Sequence, residues 1–314
     1  MKLGRRGFLG VAGFSGALVL AGRPRAARAE EQGRGIPGEQ ESAVLVDTTR
    51  CVGCRGCEAA CSEANGLPPP DPDDKVFESR RSTSPDQFTV VNRFPGPAGA
   101  ARPHFAFAKT QCMHCVSPAC ASACPVRALQ KSPSGPVFYD GTRCLGCRYC
   151  MVACPFGVPR YQYEKAAPYV RKCDFCAGRQ AEGKAPACAS VCPSGALTFG
   201  KRGELLDEAK RRIYGTQGAQ PGRYLRRIYG EHEAGGTDWL YLSDIPFEDL
   251  GLDDSVARES YPRMVDGALS VPPIVMALWP PLLMGFRQAA ARRNRKAGGG
   301  EPSAPDGEEG GGHE

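Results

Sequence analysis

Sixteen cysteines in this chain of 314 residues fall into four groups of four, with none left over. The first group is CVGCRGCEAAC (Cys51, Cys54, Cys57, Cys61) and the third is CLGCRYCMVAC (Cys144, Cys147, Cys150, Cys154). The second is CMHCVSPACASAC (Cys112, Cys115, Cys120, Cys124), and the fourth is CDFCAGRQAEGKAPACASVC (Cys173, Cys176, Cys188, Cys192). Every group ends in C-x3-C. Proline follows as Pro125, Pro155 and Pro193, while Ser62 holds that place after the first group.

The spacing has a chemical reason. A cubane iron–sulfur cluster needs four thiolates in a tetrahedral arrangement. A tight C-x2-C-x2-C loop wraps three of them around one cluster, and the fourth cysteine, a helical turn further on, points away toward another. Proline then ends the short helix, because it cannot donate to the helical ladder. Gly53, Gly56 and Gly146 let the backbone run close to inorganic sulfur. Two other readings stay open. Eight disulfides would use every thiol of an exported protein, and C-x2-C pairs also bind zinc. Against both stands the three-cysteine run with a fourth at x3 and then proline. Rieske-type ligation needs paired histidines; His104, His114, His232 and His313 do not pair. His114 lies inside the second group and reads as a packing or supporting residue rather than a ligand.

Between the groups the chain reads as short strands and turns. AVLVD at 43–47 precedes the first group and GPVFYD at 135–140 the third, so Asp47 and Asp140 each stand four residues before a first cysteine. This is an internal repeat. ALQKS at 128–132 closes the second group as ALTFG at 196–200 closes the fourth. FTVVNRF and HFAFAKT read as strands of a hairpin turning through PGPAGAARP at 95–103. ELLDEAKRRIYG at 204–215 has helical spacing and stops at glycine. The fold class expected is α+β.

The two ends carry addresses. Residues 1–29 join Arg5 and Arg6 to an apolar run and the cleavage-like AARA at 26–29. They resemble a twin-arginine export signal, with Gly10 where a lysine is often found. This segment holds six of the 40 basic residues and no acid, so its removal would leave 34 basic against 34 acidic residues. A near-neutral protein has no basic footprint for nucleic acid. At the other end, GALSVPPIVMALWPPLLMGF at 267–286 is free of charge and, as a helix, about 30 Å long. RQAAARRNRK follows it, which by the positive-inside rule would leave the tail in the cytoplasm. A membrane anchor is expected at 267–286, with a proline-broken interfacial segment as its rival. The remainder, 287–314, reads as a basic stretch and then a disordered glycine-rich acidic tail.

Taken together, the four cysteine groups, with the x4 gap in CVSPAC and the x11 gap between Cys176 and Cys188, resemble the four-cluster electron-transfer subunits of bacterial respiratory oxidoreductases. That family includes the iron–sulfur subunits of dimethyl sulfoxide reductase, formate dehydrogenase-N, nitrate reductase and hydrogenase-2. PFGVPRYQY after Cys154 and GGTDWLYLSDIPFEDLG at 235–251 resemble the hydrogenase-2 and formate dehydrogenase branches, and the signal combined with an anchor matches hydrogenase-2 best. The resemblance implies two tandem dicluster ferredoxin-like modules within 30–264 and four [4Fe-4S] clusters. One would be held by Cys51, Cys54, Cys57 and Cys192, and a second by Cys61, Cys173, Cys176 and Cys188. The third would use Cys112, Cys115, Cys120 and Cys154, and the fourth Cys124, Cys144, Cys147 and Cys150. It implies a non-catalytic relay on the periplasmic face of the membrane, between a catalytic subunit (a hydrogenase or a molybdopterin enzyme) and a multispanning quinone-reactive subunit.

Overall fold

A computed structural model describes residues 38–96, 105–215 and 223–296. The export segment at 1–29, most of the PGPAGAARP turn and the acidic tail lie outside them. The central sheet has three strands. β1 (Ser42–Asp47) lies between β8 (Leu197–Lys201) and β9 (Trp239–Leu242). It runs antiparallel to β8 and parallel to β9. AVLV is apolar at every position, so neither face of β1 can be left in water, and Ala43–Val46 are buried throughout.

Strand alternation sorts these side chains onto two faces. Ala43, Leu45, Leu240 and Leu242 meet Leu205, Leu206 and Ala209. Those three lie on the expected helix, α6 (Arg202–Tyr214). Val44, Val46, Trp239 and Tyr241 face the other way, into a core shared with Met113, Cys115, Phe175 and Cys188. One face of the sheet is therefore covered by a helix and the other by cysteine-bearing loops.

Among the described residues, three two-stranded ribbons accompany this sheet. The predicted hairpin forms from β2 (Val90–Pro95) and β3 (Phe105–Thr110). β4 (Leu129–Lys131) pairs with β5 (Val137–Tyr139), and β6 (Arg160–Tyr161) with β7 (Val170–Arg171). The helices are short where they follow thiol loops: α1 (Gly56–Asn65), α2 (Ala119–Ser122), α3 (Tyr149–Ala153), α4 (Ala177–Ala181) and α5 (Ala187–Ser190).

The C-terminal run forms a single helix, α7 (Tyr261–Lys296), through Pro272, Pro273, Pro280 and Pro281. Among the described residues no helix is long and apolar enough to cross a membrane. This corrects the anchor expected at 267–286. With 36 residues, length is not what is lacking. Apolarity is: four prolines, three glycine or serine residues and a tryptophan dilute the run, and Arg263, Asp266 and Arg287 close in on it. Ile274, Leu278, Leu282 and Phe286 stand exposed along the helix.

Candidate metal centre

The repeat seen in the sequence is repeated in geometry. Asp47 Oδ1 accepts from the Thr49 amide (3.2 Å) and hydroxyl (2.6 Å), closing a 3-10 turn over Thr48–Arg50 that leads into Cys51. Asp140 Oδ1 accepts from the Thr142 amide (3.0 Å) and hydroxyl (2.6 Å), closing the same turn before Cys144. Gly53 and Gly146 both have φ of 70°, and Arg55 and Arg148, at φ of 57° and 62°, cap α1 and α3. Left-handed backbone at these points curls each loop so that its thiols converge.

Strand pairing then joins groups that are distant in the chain. The Asp47 amide donates to the Ala196 carbonyl at 2.8 Å, and the Asp140 amide to the Ala128 carbonyl at 2.7 Å. Ala196 and Ala128 each follow the last cysteine of a group by four residues, Cys192 and Cys124. The first group is thus tied to the fourth by β1–β8, and the third to the second by β5–β4.

The thiols meet accordingly. Cys51, Cys54, Cys57 and Cys192 line one cavity. Burial pushes the Cys51 thiol up, and Cys192 and Cys54 add to the rise. Cys61 is pushed up to about 12 by burial; Lys109 opposes the rise, while Cys188 and Cys176 add to it. Burial drives Cys115 well above the usual thiol range, reinforced by Cys112, Cys154 and Cys120. Cys150 rises to about 11 through burial and then through Cys144, Cys147 and Cys124. Such thiols hold their protons until a metal displaces them. A second tier of neighbours links the sets: Cys57 feels Cys188, Cys173 feels Cys112, and Cys120 feels Cys150.

All sixteen cysteines are free thiols. Among the described residues no group of His, Cys, Asp or Glu closes on a point as ligands of a single ion would. A cubane asks for something different, four thiolates spread around a cage, and soft sulfur donors suit iron–sulfur chemistry. Cys51, Cys54, Cys57 and Cys192, four such donors, line a single cavity.

Comparison with known proteins points to the same iron–sulfur chemistry. The family model for the 4Fe-4S dicluster domain matches residues 103–202. A protein of Nitratidesulfovibrio vulgaris is 46% identical over 93% of this chain and 78% of its own length. The hydrogenase-2 operon protein HybA of Escherichia coli O157:H7 is 37% identical over 80% of this chain and 84% of its own length. The iron–sulfur subunit of the nitrate-inducible formate dehydrogenase of Escherichia coli K12 is 34% identical over 64% of this chain and 68% of its own length. The chain belongs to the family of iron–sulfur electron-transfer subunits.

As a member of that family the chain carries 4Fe-4S clusters and relays electrons; it is not the catalytic subunit of its complex. His114 supports the site from inside. It is fully buried, its Nδ1 accepts from the Val137 amide at 2.9 Å, and its ring stacks on Phe175 at 4.7 Å. Burial, then Lys172 and Lys131, hold the imidazole neutral. Among the buried charged residues that the sequence pattern did not single out are Glu58 and Lys109. Glu58 accepts from Arg55 (3.1 Å), Arg81 (2.6 Å) and the Val91 amide (2.6 Å), clamping α1 onto β2. The available signal for Lys109 was a lysine inside the otherwise apolar strand FAFAKT.

Proposed function

We propose that the chain holds four [4Fe-4S] clusters in one row and passes electrons between a periplasmic catalytic subunit and a membrane subunit that reacts with quinone. The ligand sets are Cys51, Cys54, Cys57 with Cys192; Cys61 with Cys173, Cys176, Cys188; Cys112, Cys115, Cys120 with Cys154; and Cys124 with Cys144, Cys147, Cys150. The observation that carries this reading is the recurring backbone bond, Asp47 to Ala196 and Asp140 to Ala128, which ties first group to fourth and third to second. It also supports two modules of like design. The links Cys57 to Cys188, Cys173 to Cys112 and Cys120 to Cys150 run from set to neighbouring set and skip none, which favours a row. Each cluster, when bound, exchanges one electron. The protein's part is to seal the thiols from water and to hold neighbouring sets close.

The catalytic partner is a hydrogenase on this reading, because the similarity to HybA extends over 80% of the chain. A formate dehydrogenase-N-like or other molybdopterin complex is the second reading, supported by the shorter match to the formate dehydrogenase subunit. Export follows the twin-arginine route. The C-terminal helix, too weakly apolar to span alone, lies against the membrane subunit.

Anaerobically purified protein should contain about 16 irons per chain, four for each of four clusters. Cys192→Ser should disturb the same spectroscopic signal as Cys54→Ser, and Cys154→Ser the same signal as Cys115→Ser. If Cys192→Ser instead mirrors Cys176→Ser, the cross-paired ligand sets are wrong. Arg5→Lys with Arg6→Lys should hold the protein in the cytoplasm; unchanged export would remove the twin-arginine route. The subunit that co-purifies decides between the two partners.

A further inference from the structure

Lys109, on β3, is 3% exposed. Its Nζ donates to Gln111 Oε1 at 3.0 Å and lies 4.2 Å from the centre of the Trp239 ring. Gln111 is held in turn by Tyr241, whose hydroxyl donates to the Lys109 carbonyl at 2.8 Å. No carboxylate pairs with this ammonium among the described residues. Lys131, by contrast, meets Asp238 at 2.7 Å and Glu41 at 2.8 Å. A buried cation without an anion is costly. The balancing charge must come from what Lys109 faces. It lines the cavity ringed by Cys51, Cys54, Cys57 and Cys192. Cys188, Cys57 and Cys173 lie within electrostatic reach of it, and as metal-bound thiolates they would supply the missing negative charge. These thiols belong to two neighbouring ligand sets.

We infer that Lys109 is a built-in counter-ion shared by the two clusters of the first and fourth cysteine groups, and that it raises the reduction potential of both. A cluster with four thiolates is anionic and gains a further negative charge when it accepts one electron from the preceding carrier. A fixed cation beside it favours the reduced form, and net charge is one of the protein's levers on potential. The cation–π contact with Trp239 and the bond to Gln111 keep the ammonium in place.

The inference rests on the cluster reading above, so the test separates the two. Iron content and an EPR-monitored redox titration are measured on the full-length protein and on Lys109→Met, Lys109→Gln and Lys109→Arg. Lys109→Met should move two of the four steps to lower potential by about tenfold in the reduction equilibrium, 59 mV for one electron. The other two steps should stay, and Lys109→Arg should titrate close to the unaltered protein. Lys109→Gln, which still donates to Gln111, should move the same two steps. Loss of iron in both neutral variants with retention in Lys109→Arg supports the charge requirement. Four clusters with unshifted potentials in a neutral variant overturn the inference alone. Loss of iron in all three variants assigns Lys109 to packing and also overturns it. An unaltered protein without iron overturns the cluster reading and the inference together.

Discussion

The loops of the first and third cysteine groups begin alike and end differently. Both pass through an aspartate-capped turn, a glycine at φ of 70° and a left-handed arginine. After Arg55 comes Glu58, and the pair is buried beneath the β2–β3 hairpin with Arg81 added. After Arg148 the matching position is Met151, and Arg148 lies instead over the Tyr161 and Tyr163 rings, 5.7 Å from each centre. Around the first loop stand a three-stranded sheet and a helix of 13 residues. Around the third, among the described residues, only two-stranded ribbons are paired, and Tyr149 and Val152 stand exposed. One motif therefore specifies thiol geometry, while its surroundings decide how firmly it is held. The first loop is braced by buried charge, the third by its own turn, the tyrosine rings under Arg148 and a small apolar cluster.

The largest effect that would sharpen this contrast is at Glu58. Glu58→Met copies the third loop into the first. It leaves Arg55 and Arg81 buried without their shared carboxylate, and breaking a buried pair from one side costs about 3–5 kcal/mol. The reverse change, Met151→Glu, should cost less, because that position is only partly buried and a new carboxylate there can reach water. Anaerobic urea unfolding read by far-UV circular dichroism measures both. Equal losses would mean that the two loops are braced alike.

A smaller difference is expected at the paired glycines. Alanine at φ near 70° is strained by roughly 1–2 kcal/mol in either loop. At Gly53 the new methyl group would also collide with the Phe107 ring, which packs edge-on against Phe77 at 5.5 Å. At Gly146 it would meet the Tyr161 hydroxyl at 2.8 Å, the far end of a side chain that can swing away. Gly53→Ala should lower the unfolding midpoint more than Gly146→Ala. The opposite order would show that the third loop is the more tightly packed.

What could be read from the sequence divides along similar lines. Local pattern sufficed for β1, β4, β8, the β2–β3 hairpin and α6, because each is fixed by alternation, helical spacing or a terminating glycine. The aspartate repeat was legible, and it is the repeat that the backbone obeys. Which cysteine group meets which was not legible from spacing; it came from family resemblance, because Cys51 and Cys192 are brought near by strand pairing across some 150 residues. WLYL at 239–242 did not announce itself as the parallel partner of β1, since only tertiary packing selects that neighbour. Glu58 and Lys109 were passed over because glutamate and lysine belong by default on the surface. Absence of charge at 267–286 was read as apolarity, but prolines and small residues are uncharged without being hydrophobic.

The smallest effect concerns acid, and it tests whether the third loop depends on its aspartate alone. The Thr142 hydroxyl and amide, with help from Arg143, hold the Asp140 carboxyl below the usual carboxylate range despite some opposition from desolvation. A carboxyl lowered on folding adds stability that is fully present above its unfolded pKa, about pH 4. That contribution fades as pH falls through the lower folded value. Asp140→Asn removes the ionisable group, so it should lower the unfolding midpoint by a constant, small amount between pH 7 and pH 5. Below about pH 4 the gap between the two proteins should close. Taking the difference at each pH cancels the acid lability that both share. A gap that stays constant into strong acid would mean that Asp140 acts through hydrogen-bond geometry, which asparagine cannot reproduce, and that its charge contributes nothing to the turn.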